Sequence, residues 1–225
     1  MLEELKKEVV AIARQAEASG LCRHKSGNFS IRDEKTGYVV VTPAGVGREE
    51  LTYYDICVVD GKANVLEAIP GRKPTSELLL HLKAYAIRPE VMAGLHTHSR
   101  FATAFAVVNK EIPAIVYEGA ALGGAEGIIP VAPYGRPGTS ALAESITGPI
   151  KKADAALLES HGVITVAENA KDALLKAHYV EEIAEIYYRA LMISGGKEPA
   201  IIAPEEFAQW QYPPEFKLHN HTTKA

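Results

Sequence analysis

The fold class predicted by this 225-residue sequence is an α/β or α+β layered domain. Three observations predict it. β-like runs alternate with helix-like runs along the chain. Apolar residues make up 47% and charged residues 23%, ordinary for a soluble globular protein, and the length allows a sizeable core. No internal repeat or low-complexity block interrupts the pattern, so residues 1–225 read as one domain.

Taken in order, Leu2, Leu5, Val9, Ile12, Ala13 and Ala16 recur at helical spacing, and Gly20 supplies a stop. β-like runs follow at Phe29–Ile31, Tyr38–Thr42 and Ile56–Val59, separated by turn residues at Asp33–Gly37 and Pro43–Gly47. The stretch SELLLHLKAYAIR predicts a helix ended near Pro89. VMAGLHTH predicts a buried strand and RFATAFAVVN a further helix. Ala155–Leu158 and Val163–Val166 read as strands. A long helix runs from about Ala170 to Ser194, ended by Gly195-Gly196. From about Pro213 the chain is rich in Pro, His and Thr and reads as a loosely held tail.

Several function classes are excluded early. The net charge of −4 provides no nucleic-acid surface and no polybasic membrane patch. No run approaches the roughly 18 apolar residues needed to span a bilayer, and the charged N-terminus has no signal core. A cytoplasmic protein is the expectation. Cys22 and Cys57 lack metal-type spacing; a disulfide stays open, with two free thiols the simpler reading.

LHTHS places His96 and His98 two apart at the end of a predicted strand, where alternate residues share a face and can converge on one ion. His161 follows an apolar strand in LLESHGV and precedes a glycine that permits a tight turn. Together the three suit a facial arrangement with coordination positions left for substrate. His219 and His221 form a second H-x-H, but in the tail, and read as solvent-exposed. His24 lies in a loop with polar neighbours. His81 and His178 fall in predicted helices and read as surface or packing polarity.

In RKPTSELLLH a helix starts at Pro-Thr-Ser-Glu. The structural reading has Thr75 or Ser76 as the cap and Glu77 in the first turn. The functional reading has backbone N–H groups and two hydroxyls forming an anion site, with Glu77 as a further metal ligand or a base. HKSGNFS adds Lys25, Gly27 and Asn28, and TPAGVG adds Ala44 and Gly45. Each is a glycine-containing turn where backbone can approach a ligand.

In order, SGNFS, TPAG, PTSE, HTH, PAIVYE, APYGRPGT and LESHG resemble the class II aldolase/adducin-head family, from about residue 5 to about residue 195. The resemblance implies a three-layer α/β/α domain with a central, mainly antiparallel sheet. It also implies a homotetramer with active sites at subunit interfaces, and no nucleic-acid or membrane partner. It makes His96, His98, His161 and Glu77 ligands of Zn2+, with Mn2+ or Co2+ as substitutes. Glu77 becomes the catalytic acid/base and Tyr117 a proton donor from a neighbouring subunit. Gly27, Asn28, Ala44, Gly45, Thr75 and Ser76 match phosphate-binding positions. Lys25 and Ala44 depart from the family's usual threonine and hydroxyl; Lys25 either compensates as a point charge for phosphate or signals a different anion, such as a carboxylate.

The implied activity is cleavage of a phosphorylated ketose to dihydroxyacetone phosphate and an aldehyde through a metal-bound enediolate. Alternatives within the family are a decarboxylase of a 3-oxo sugar-acid phosphate, a pentulose-phosphate 4-epimerase and a dehydratase of methylthioribulose phosphate. An adducin-like interaction module is the non-enzymatic alternative, against which the retained histidines and Glu77 speak.

Overall fold

Val9, Val10, Ile12, Ala13 and Ala16 fall on one side of helix α1 (Glu3–Ala18) and are buried, while Glu3 and Glu4 stay in water and Glu8 is half-buried. The computed structural model describes residues 1–208 apart from 123 and 125. The predicted tail with His219 and His221 lies outside the described residues.

The strands are β1 (Asn28–Arg32), β2 (Val39–Val41), β3 (Cys57–Val59), β4 (Val65–Glu67), β5 (Ala93–Thr97), β6 (Val131–Ala132), β7 (Ala155–Leu158) and β8 (Gly162–Ala167). They form one eight-stranded sheet in the order β4-β3-β2-β1-β5-β8-β7-β6. Its ladders are antiparallel except the parallel β6–β7 pair. Among the described residues the helices are α1, α2 (Leu78–Ile87), α3 (Arg100–Val107), α4 (Ser140–Ser145), α5 (Thr147–Lys152), α6 (Ala170–Ile193) and α7 (Pro204–Ala208). None is long and apolar enough to cross a membrane.

Alternating side chains assign the layers. Phe29, Ile31, Val40, Val58, Ala93 and Leu95 pack with α1 and the first turns of α6. Val39, Val41, Cys57, Val59, Ala156, Leu158 and Ile164 pack with α2, α4 and α5 on the other side. A third cluster joins α3, β7 and the rest of α6 around Phe105, Leu157, Val163 and Tyr187. Burying one such large side chain stabilises the fold by roughly 1.5–3 kcal/mol. The result is the expected α/β/α arrangement around a mainly antiparallel sheet.

The differences from expectation are local. β4, β6, α4 and α5 go unpredicted: β4 is a largely exposed edge strand, β6 has two residues, and α4 and α5 have six each, too few for a helical period to repeat. α2 begins at Leu78, so Glu77 is its N-cap and not a residue of its first turn. Neither Thr75 nor Ser76 caps the helix with its side chain; instead the Glu77 backbone N–H donates to Thr75 Oγ1 at 3.3 Å. Cys22 and Cys57 are buried and free.

Candidate metal centre and active site

β5 is buried along its whole length and runs between β1 and β8, which places the residues at its end on the central strand. His96 lies opposite Asn28 in one ladder and Ile164 in the other. His98 follows just past the strand, anchored by its backbone N–H to Leu21 O at 3.2 Å. His161 comes from the tight β7–β8 turn, where Ser160 adopts a positive φ of 56° and His161 N–H donates to Leu158 O at 2.9 Å.

Gly162 makes this approach possible. A Cβ there would stand 2.5 Å from Thr97 O and 3.2 Å from ring carbons of both His96 and His98. Any side chain would push the turn away from the other two rings.

The three imidazoles and one carboxylate converge. Ligand-type atoms of His96, His98 and His161 lie within 4.8 Å of one another. The Nε2 atoms of His96 and His98 are 2.8 Å apart. Glu77 Oε2 lies 3.2 Å from His96 Nε2, and Oε1 lies 3.2 Å from His161 Nε2.

Protonation decides what this cluster can hold. Burial drives the His96 pKa well below its ordinary value, with the neighbouring His98 and His161 adding to the effect. Burial, then His161, lowers His98 to about 4, and burial also lowers His161 although Glu77 opposes it. The rings are therefore neutral at physiological pH. His96 Nδ1–H donates to Val163 O at 2.8 Å, which leaves Nε2 as a lone pair facing a carboxylate oxygen. Two acceptors in contact need a cation between them. Glu77 Oε1 and His161 Nδ1 are buried, and neither has a hydrogen-bond partner among the described residues. The donor set thus fits a divalent ion.

The other predicted residues are placed less uniformly. Asn28 is buried and its amide is committed at both ends, Nδ2 donating to Glu77 Oε2 at 2.8 Å and Oδ1 contacting His81 Nε2 at 2.6 Å. Ala44 and Gly45 are exposed, and a Pro43–Pro74 bridge brings their turn beside Thr75 and Ser76. Ala44 N–H donates to Lys73 O at 2.9 Å, and Thr75 N–H to Thr42 O at 3.0 Å. Lys25 is exposed on a surface hollow shared with His24 and Arg48. Tyr117 opens a 3-10 helix over Tyr117–Leu122, is 47% exposed, and meets Phe207 edge-on at 5.9 Å.

Two residues carry more of this site than their sequence positions imply. Arg48 is buried and donates to Ser26 O at 3.0 Å and Gly27 O at 2.5 Å, fixing that turn from behind. His81 is fully buried against Asn28 and Ser30, which rules out surface polarity and leaves helix packing, here through specific hydrogen bonds. The signal for it was present: Glu77, His81 and Tyr85 fall at i, i+4 and i+8, one face of a helix.

A three-layer domain with this cluster at the end of its central strand defines a class of metal-site proteins. The chain belongs to the class II aldolase and adducin N-terminal domain family, whose model matches residues 7–188. It is 35% identical over 206 residues to an L-fuculose phosphate aldolase of Escherichia coli (strain K12), covering 91% of each chain. It is 34% identical to a 5-deoxy-D-ribulose 1-phosphate aldolase of Bacillus thuringiensis serovar kurstaki, covering 92% of this chain and 93% of the relative. A solved L-fuculose 1-phosphate aldolase superimposes with a TM-score of 0.85 at 30% identity, covering 91% of this chain and 93% of that one. These relatives support a lyase acting in sugar-phosphate metabolism.

Proposed function

We propose that this protein is a zinc-dependent aldolase that cleaves a ketose 1-phosphate of the L-fuculose-1-phosphate type into dihydroxyacetone phosphate and an aldehyde. The observation that carries the reading is the carboxylate of Glu77 held 3.2 Å from both His96 and His161. A carboxylate touching a metal cluster can leave it and take a proton, which an adducin-like interaction module has no need to do.

His96, His98, His161 and Glu77 would hold the ion, and three neutral imidazoles with one carboxylate suit zinc, with Mn2+ or Co2+ as substitutes. When bound, the ion supplies Lewis-acid polarisation of the substrate carbonyl. Thr75, Ser76, Gly27 and Gly45 would border the phosphate, with Lys25 adding charge at its edge; Ala44 lies in the same turn, its N–H committed to Lys73 O. In cleavage Tyr117, from a neighbouring subunit of a homotetramer, takes the proton of the C4 hydroxyl as the aldehyde forms. The C3–C4 electron pair passes to C3 and is delocalised into the C2 carbonyl. Glu77, which takes up a proton from solvent when arriving substrate displaces it, passes that proton to C3, completing dihydroxyacetone phosphate, while the C4 proton leaves through Tyr117 to solvent. In synthesis Glu77 removes the C3 proton.

The test is incubation with dihydroxyacetone phosphate and a panel of aldehydes, before and after chelator. The expected outcome is C–C bond formation that chelator abolishes and Zn2+ restores. No metal-dependent product across the panel would reject the aldolase reading. Release of carbon dioxide from a sugar-acid phosphate instead would favour a decarboxylase.

A further inference from the structure

A helix lying on a sheet ordinarily meets it with apolar side chains, yet α2 meets β1 and β5 with a row of polar ones. Glu77, His81 and Tyr85 share a face of the helix. Asn28 and Ser30, two apart on β1, share the facing side of the sheet. All five are buried. The contacts are Tyr85 Oη to Ser30 Oγ at 2.7 Å, Ser30 Oγ to His81 Nδ1 at 2.8 Å, His81 Nε2 to Asn28 Oδ1 at 2.6 Å, and Asn28 Nδ2 to Glu77 Oε2 at 2.8 Å.

The direction of every hydrogen bond follows from its end point. The Asn28 NH2 donates to Glu77 Oε2, so its carbonyl oxygen is the atom turned to His81. A carbonyl oxygen only accepts, so His81 carries its proton on Nε2. Nδ1 is then an acceptor that takes the Ser30 hydroxyl proton, and Ser30 in turn accepts from Tyr85. Burial, with a smaller opposing contribution from the Gly94 backbone, lowers the His81 pKa to about 4, so the ring is neutral as this row requires.

β5 makes room for the row. A Cβ on Gly94 would stand 3.2 Å from His81 Nδ1, 3.6 Å from Ser30 Oγ and 3.7 Å from Tyr85 Oη. Stability alone does not call for this arrangement, since a fully apolar contact between helix and sheet avoids the desolvation of five polar groups.

The geometry points to His81 as a positioning residue whose Nε2–H, locked by Ser30 and Tyr85, fixes the Asn28 amide and thereby aims the Glu77 carboxylate at His96 and His161. This rests on the role proposed above for Glu77. Without the His81 donor the Asn28 amide is free to turn over. Its oxygen would then oppose the carboxylate, which would swing off the line between the two histidines.

The test compares His81→Leu, His81→Gln and Tyr85→Phe with the wild-type full chain. The readouts are circular dichroism for folding, Zn2+ affinity by competition with a chromophoric chelator, kcat and KM for metal-dependent cleavage, and 15N NMR of the His81 tautomer. Folded His81→Leu is expected to lose roughly 10–100-fold in zinc affinity or kcat, the usual cost of removing a group that orients a metal ligand. KM should hold nearly constant. His81→Gln, which keeps an N–H donor, should recover most of the loss, and the wild-type ring should read as neutral Nε2–H. Wild-type zinc affinity and kcat in folded His81→Leu, an Nδ1–H tautomer, or no rescue by glutamine would each overturn the proposal. If His81→Leu does not fold, Tyr85→Phe decides by the same criteria with a smaller expected loss. A wild-type chain with no cleavage activity would sink the aldolase reading, while zinc competition and the tautomer still judge His81.

Discussion

Strands β1 and β5 share one ladder but present opposite chemistry on their two faces. Toward α1 the cross-strand pairs are Phe29 with Leu95 and Ile31 with Ala93, all apolar. Toward α2 they are Asn28 with His96 and Ser30 with Gly94. The backbone is common to both, so the difference lies wholly in side chains alternating along the same residues. The apolar face has no preferred partner beyond shape. The polar face is specified atom by atom, because each buried donor and acceptor must find its complement. Stability and chemistry are therefore separable here by a step of one residue.

Glu77→Gln is the sharpest way to test that separation. It is expected to lower kcat by about 10²–10⁴-fold, the range for a lost general acid–base, while urea unfolding at neutral pH changes little. A large stability loss with retained kcat would invert the assignment of the two faces. Phe29→Ala should do the opposite. Phe29 is 1% exposed, and its removal is expected to cost about 3–5 kcal/mol in urea unfolding, with zinc affinity retained in the folded protein.

The smallest effect concerns pH. Burial lowers the folded pKa of His81 to about 4 from an ordinary 6.5, so between those limits only the unfolded chain takes up its proton. Its contribution is complete above pH 6.5 and is lost on acidification toward pH 4, roughly 3 kcal/mol in all. Comparing unfolding at pH 7 and pH 5, His81→Gln should show a shallower dependence than wild type, by up to about 1.4 kcal/mol per pH unit. Equal slopes would mean that the buried ring titrates normally.

How much of this was legible in the sequence varies with distance along the chain. His96 and His98 were readable because period two is a local rule, and the long helices because their period repeats several times. His161 needed the order of the surrounding motifs, since a lone histidine before a glycine carries little by itself. The sequence places Asn28 at a phosphate-binding position, but does not show that its side-chain amide contacts Glu77 and His81, which lie 49 and 53 residues away. No local pattern announces such partners. His81 shows the same limit from the other side: its spacing from Glu77 and Tyr85 was visible, but only the sheet opposite gives that face its meaning.

The β7–β8 turn carries a consequence for how the protein is made. His96 and His98 leave the ribosome well before His161, and at roughly 5–20 residues per second the interval lasts some seconds. During it β5 lacks its β8 neighbour, and of the four residues proposed to hold the ion Glu77, His96 and His98 are made but His161 is not. The donor set proposed for the ion is therefore complete only once the β7–β8 turn has closed against β5.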